Sequence, residues 1–283
     1  MRQLEEKIHA FFNTNELTAE EEQEAREHLE IFLQLLDEGT VRPVIKEPEG
    51  WNVNSWVKEG ILLAFRMGVV MDMSRQFPFF DKSTFPLKAV TLKDKVRIVP
   101  GGTSIRKGAY VAPGVVIMPP AYINTGAYVG EGTLVDSHAL IGSCAQIGRF
   151  CHISAGSQIG GVLEPVNARP VVIEDDVLVG GNCGLYEGVQ VGRRAVLAAG
   201  VILTGSTPLY DLLKRKVMRP ERGRPLMIPE GAVVIPGSRP LDNEFAREHG
   251  LQAYTPIIVK YRDEKTEASV ALEEALRDGY ALH

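Results

Sequence analysis

The chemistry-bearing residues of this chain are few and clustered. Asp136 directly follows Val135, at a place where Gly130, Gly142 and Gly148 stand in neighbouring six-residue units. A carboxylate there has two readings. It can be a corner former, since Asp tolerates the backbone of a tight turn, or it can be a proton acceptor in a cleft. Glu187 ends a later unit and has the same two readings, an outward solvated charge or a catalytic group. His138 and His152 are the remaining titratable candidates nearby. They lie fourteen apart with no third histidine, so a three-histidine zinc site is not expected and no metal is assigned. Arg97 opens the repeated region; its fork suits a carboxylate, although an ordinary surface arginine at a domain junction looks the same in sequence. The cysteines Cys144, Cys151 and Cys183 form no CxxC pair, and no Ser/His/Asp signature or GxSxG elbow occurs. Cys151 and Cys183 occupy small inward positions, whereas Cys144, one place earlier in its unit, is expected nearer the surface; all three read as structural.

These residues ride on a strict period. Aliphatics recur every six positions at Val99, Ile105, Val111, Ile117, Ile123, Val129, Val135, Ile141, Ile147, Ile153 and Ile159, and the beat resumes from Ile173 to Leu203. Four residues after each stands a small residue or valine, such as Ala109, Ala121, Ala145 and Ser157. Neither a helix nor an alternating strand has this period. It predicts a mainly β fold, a parallel β-helix whose short strands stack coil on coil. The beat breaks twice. From Ile159 to Ile173 the step is fourteen residues where two hexads would take twelve, so a loop over 161–171 should project from the prism. The second break, 206–230, is long and carries Lys214, Arg215, Lys216, Arg219, Arg222 and Arg224.

The expected organisation is a helical domain over 1–95, the β-helix over 96–238 and a cap over 239–283. In the first, Thr18 and Glu21 form a capping box ahead of an apolar face of Leu29, Phe32, Leu33 and Leu36, closed by Gly39. A second helix should cover Asn54 to Met67. The cap should hold a strand at 255–261 and a closing helix at 267–279. Net charge is −5 with both signs interspersed, which does not favour nucleic acid as partner. No apolar run reaches membrane-span length, and the acidic start is unlike a signal peptide, so a cytoplasmic protein is expected.

Local strings go further than the period. RIVPGGTSIRKGAYVAPGVVIMPPAYINTGAYVGEGTLVDSHALIGSCAQIG (97–148), IGGVLEPVNARPVVIEDDVLVG (159–180), WNVNSWVKEGILLAFR (51–66) and STPLYD (206–211) resemble bacterial tetrahydrodipicolinate N-succinyltransferases. The resemblance runs from about Trp51 to the C-terminus. It implies a left-handed β-helix, a homotrimer, and transfer of succinyl from succinyl-CoA to the amine of L-2-amino-6-oxopimelate, the open form of tetrahydrodipicolinate, on the route to diaminopimelate and lysine. Succinyl-CoA would be a co-substrate, with no tightly bound cofactor. The rivals are an acetyl-CoA enzyme on the same acceptor, a hexapeptide sugar or serine acetyltransferase, and a non-catalytic solenoid.

The resemblance also implies roles. Asp136 and Glu187 are the catalytic candidates. Arg97, Asp136, His138 and Ser154 would contact substrate, with the small-residue stretch after His152 offering backbone N–H groups. Gly160, Gly161 and Lys260 would hold CoA, with the basic stretch 214–224 as a further candidate for its phosphates. One departure stands out: family members carry a second acidic residue three places before the equivalent of Glu187, and here that position is Gly184.

Overall fold

The computed structural model describes residues 1–48, 50–74, 78–221 and 224–262. The expected helix at 267–279 and part of the basic stretch lie outside them.

The hexad produces a left-handed parallel β-helix of triangular section, because inward aliphatics at every sixth residue leave two-residue strands joined by corners. The first wall stacks Arg97–Ile98, Val116–Ile117, Leu134–Val135, His152–Ile153, Leu178–Val179 and Val196–Leu197, and the second runs from Ser104–Ile105 to Ile202–Leu203. The third runs from Tyr110–Val111 through Tyr128–Val129, Gln146–Ile147 and Val172–Ile173 to Met227–Ile228. Ile117, Ile123, Val129, Val135, Ile141, Ile147, Ile153 and Ile159 are fully buried, each contributing on the order of 1.5–3 kcal/mol relative to exposure. Inward polar groups are paired: Thr133 Oγ1 donates to Gly148 O at 2.9 Å, and Ser157 Oγ to Gly180 O at 2.9 Å.

The first rung is out of step with the aliphatic period by one residue. Ile98, not Val99, pairs with Ile117, and Val96 enters the core. The first interruption is also larger than two residues. Val172–Ile173 sits directly on Gln146–Ile147 in the wall that follows Gln158–Ile159, so fourteen residues replace a single six-residue step. The second interruption is part of a sheet: Leu209–Asp211 and Lys216–Met218 form a hairpin, and Leu209–Asp211 pairs with Gln252–Tyr261. Ala232–Pro240 continues the first wall at Val233–Val234, then pairs antiparallel with Gln252–Tyr261, closing the end of the solenoid.

The N-terminal unit holds α1 (Arg2–Asn13), α2 (Ala19–Asp37), an antiparallel hairpin of β1 (Val44–Glu47) and β2 (Gly50–Val53), and α3 (Ser55–Met67). Thr18 and Glu21 form the reciprocal capping box that starts α2. Phe32 of α2 packs on α3 at Gly60, where a Cβ would stand 2.6 Å from the ring. This unit covers the third wall. Tyr110 sits against Gly39, and the Arg42 guanidinium lies 3.6 Å from the centre of the Tyr128 ring. A second short hairpin, β3 (Val70–Asp72) with β4 (Phe80–Lys82), carries the chain toward the solenoid.

The inserted loop does not stand free. Lys58 of α3, fully buried, donates to Ala168 O at 2.6 Å and Pro165 O at 3.3 Å, and Arg169 donates to Trp51 O at 2.8 Å. The loop is therefore clasped by the chain's own N-terminal unit.

Candidate active site

Corners set what each candidate residue can do. The left-handed corner residues recur with the hexad at Gly108, Gly114, Gly126, Gly132, His138, Cys144, Phe150 and Gly156. His138 (φ 62°) is thus a corner former with an exposed side chain. Asp136, two places earlier, has no positive φ, so corner strain does not explain its carboxylate. Glycines at the equivalent place on the other edges are forced by close stacking: a Cβ on Gly130 would lie 2.5 Å from Gly148 O, and one on Gly142 2.2 Å from Gly161 N. The edge between first and second walls has room for side chains over its lower rungs, where the chain places Met118, Asp136 and Ser154; Gly180, one coil higher, is again crowded, a Cβ there lying 2.5 Å from Ala199 N.

Asp136 meets His152 on this edge. His152 stands directly above Leu134 in the ladder, and its Nε2 lies 3.7 Å from Asp136 Oδ2. The other carboxylate oxygen accepts the Ser137 N–H at 2.7 Å, which fixes the rotamer. Both side chains are partly exposed, 29% for Asp136 and 14% for His152, so the pair opens to solvent from a shielded wall. Sequence reasoning named both residues without pairing them. The signal was present: one coil is eighteen residues, so sixteen residues on is one rung up and two places back.

The first wall carries more of the candidates. Arg97 is on it, two rungs below Leu134, or roughly 10 Å at the inter-strand spacing. Lys260 lies at its upper end, paired with Val233. Ser154 follows Ile153 at the corner above Asp136. The N–H groups of Ser154, Gly156 and Ser157 already donate to Val179 O, Ser137 O and Ser154 O. The stretch after His152 therefore presents far fewer backbone donors than expected.

Other candidates lie elsewhere. Glu187 (φ 46°) sits at the edge between second and third walls, exposed, with its carboxylate accepting the Gly205 N–H. Gly160 and Gly161 occupy that edge as well, one coil below. A Cβ on Gly161 would stand 2.6 Å from Ser143 N, so close backbone approach accounts for glycine there. At Gly184, a Cβ would meet the Tyr186 ring at 2.6 Å. The aromatic ring fills the space an acidic side chain would need. Cys144 is also unlike its expectation: it is fully buried under the N-terminal unit, and burial pushes its thiol up to about 12.

No group of three or more His, Cys, Asp or Glu among the described residues is arranged to hold a metal ion. No helix of the described residues is long and apolar enough to cross a membrane.

The fold and its repeat define the class: a hexapeptide-repeat acyltransferase. Residues 3–67 match the family model for the tetrahydrodipicolinate N-succinyltransferase N-terminal domain, and residues 170–205 match the hexapeptide repeat of succinyl-transferase. A 2,3,4,5-tetrahydropyridine-2,6-dicarboxylate N-succinyltransferase of Coxiella burnetii is 47% identical over 252 residues, covering 87% of this chain and 88% of that protein. The protein of the same name from Psychrobacter cryohalolentis is 45% identical over 277 residues, covering 95% of this chain and 96% of the other. That of Ehrlichia ruminantium is 47% identical over 267 residues, covering 88% and 87%. The chain belongs to the tetrahydrodipicolinate N-succinyltransferase family.

Proposed function

We propose that this protein transfers the succinyl group of succinyl-CoA to the amine of L-2-amino-6-oxopimelate, the open form of tetrahydrodipicolinate; its relatives are named for N-succinyl transfer to tetrahydropyridine-2,6-dicarboxylate. The observation that carries the mechanism is the Asp136–His152 pair on one edge of the prism, with Arg97 below and Lys260 above on the same wall.

The acceptor amine is protonated near neutrality and must lose a proton before it attacks. The Asp136–His152 pair takes that proton, with Asp136 as the general base and the imidazole beside it sharing the charge. The amine nitrogen then adds to the thioester carbonyl. The tetrahedral intermediate collapses with cleavage of the C–S bond, and the proton that the nitrogen sheds on becoming an amide goes to the departing sulfur, giving the amide and free CoA thiol. With no Ser/His/Asp arrangement in the sequence, attack is direct and needs no acyl-enzyme. Arg97 grips an acceptor carboxylate, Ser154 and His138 border the acceptor, and Lys260 meets a CoA phosphate. The pantetheine arm runs over Gly160–Gly161 of an adjoining prism.

That last point requires assembly. Asp136 and Glu187 occupy different edges of one prism, while the third wall is covered by the chain's own N-terminal unit. A homotrimer packed through the two remaining walls brings the edges of neighbouring subunits together. Glu187, held by the Gly205 N–H, then serves as a positioned charge facing the neighbour's site.

The test is thiol release from succinyl-CoA and acetyl-CoA with tetrahydrodipicolinate as acceptor. Succinyl-CoA should be strongly preferred; equal rates would favour the acetyl reading. Asp136→Asn should lower kcat by about a hundredfold or more, the size of a lost general base, while the oligomer persists. Turnover near the wild-type rate would remove Asp136 from catalysis.

A further inference from the structure

A cleft on the opposite side of the solenoid from the Asp136 edge carries a cation that has no ion pair of its own, Asp175 being its nearest charged neighbour. It lies where the β1–β2 hairpin meets the third wall, near the edge between third and first walls, and its volume is about 280 Å³. Four cationic side chains line it: Arg42, Lys46, Arg149 and Arg193. Three are matched to carboxylates. Lys46 Nζ pairs with Glu174 at 2.7 Å, Arg149 Nη2 with Asp175 at 3.0 Å, and Arg193 Nε with Asp176 at 3.1 Å.

Arg42 differs. Its Nε donates to Gln146 Oε1 at 2.9 Å, and its guanidinium plane stacks on Tyr128. Among the described residues no carboxylate lies within ion-pair distance of it, and its terminal amino groups make no hydrogen bond to protein. Burial pushes its pKa down, yet an arginine keeps its charge at any physiological pH. The result is a fork held by an amide and an aromatic ring in the lining of a cleft that Trp51 also walls, its guanidinium carbon 5.8 Å from the centre of the Trp51 ring. A half-buried cation in that position is best satisfied by a planar or tetrahedral oxyanion that accepts two parallel N–H bonds.

We infer that this cleft is a binding site for a small oxyanion, a carboxylate or phosphate group held by the Arg42 fork against Trp51 and Tyr128. One cation without an ion pair suits a single oxyanion group, and the volume of about 280 Å³ limits the ligand to a small molecule. Occupancy would brace the hairpin on the wall. Trp51 also accepts Arg169 of the inserted loop through its carbonyl, so the brace would extend to that loop.

The experiment is titration calorimetry on the full-length protein with inorganic phosphate, succinate and chloride as separate probes, repeated on Arg42→Lys and Arg42→Met. Saturable binding of phosphate or succinate, but not chloride, is expected. Arg42→Lys should weaken it about tenfold or more, because a point charge cannot replace the fork, and Arg42→Met should abolish it. Whichever of phosphate and succinate binds tighter identifies the source of the oxyanion. Arg42→Lys keeps a cation in place, and its unliganded melting temperature, if unchanged, shows that lost binding is not lost folding. Absence of saturable binding, or equal binding by Arg42→Met, would overturn the inference. So would displacement of the bound anion by CoA, which would assign the cleft to the acyl donor. None of these readouts requires turnover, so they stand apart from the test of the proposed reaction.

Discussion

At the scale of single residues, backbone conformation separates the candidates that look alike in sequence. His138 and Glu187 take left-handed corner geometry, while Asp136 does not and instead meets an imidazole. Arg97 is the sharpest further test. A charge-assisted fork to a substrate carboxylate is worth on the order of 2–4 kcal/mol, so Arg97→Ala should lower kcat/KM some thirtyfold to several-hundredfold. The loss should fall on the KM for the amino dicarboxylate, and lysine should rescue poorly. A rise in the succinyl-CoA KM instead would move Arg97 to the donor side. The thiols give a second test. Cys144, Cys151 and Cys183 are all buried, and burial pushes the first two up to about 12. The native protein should therefore resist alkylation by a thiol reagent at neutral pH and react fully once denatured. Rapid labelling of one thiol in the folded state would contradict this packing.

Among the elements, the β1–β2 hairpin and the inserted loop are held by polar contacts that no period announces. Glu174 is the hub: its carboxylate accepts from Lys46 Nζ and Trp51 Nε1, and from the Arg193 N–H. Burial raises its pKa, but these three donors outweigh burial and hold it below its usual 4.5. Asp175 is likewise lowered, because the Arg149 bonds exceed its desolvation. A carboxylate with a depressed folded pKa stabilises the fold above its unfolded value, and that contribution is lost as pH falls through the lowered one. Hairpin docking should therefore weaken progressively below about pH 4.5, seen as a change in tryptophan fluorescence that precedes loss of the β-sheet signal. In Glu174→Gln the change should be largely present already at neutral pH. Coincidence of the two transitions in the wild-type protein would show that the hairpin unfolds only with the solenoid.

For the whole molecule, the covered third wall and the open first and second walls set the possibilities for assembly. Outward positions on the open walls include Val116, Leu134, Leu178 and Val196 on the first and Tyr122, Leu140 and Ile202 on the second. Such apolar rows are suited to closed threefold packing. Sedimentation at micromolar concentration should give a single species of three chains. A stable, fully active monomer would remove the need for a neighbour's edge and with it the proposed placement of the pantetheine arm.

The period of six was sufficient to specify the solenoid, because each inward aliphatic must recur wherever the wall turns, and a burial pattern that regular has one parallel solution. Helix α2 was equally legible, since Thr18, Glu21 and the apolar face are local signals. The local strings carried the family. What sequence left open were matters of distance along the chain. The starting register at Ile98, the eight residues expelled over one corner, and the strand that leaves the solenoid at Ala232–Pro240 depend on which segments stack, not on the residues alone. The same holds at the site. Asp136 next to His152, Tyr186 in the space above Gly184, and Lys58 buried against the loop carbonyls are each fixed by through-space contact between coils or domains. A linear pattern records what points inward; only the stacked coils decide which side chains become neighbours.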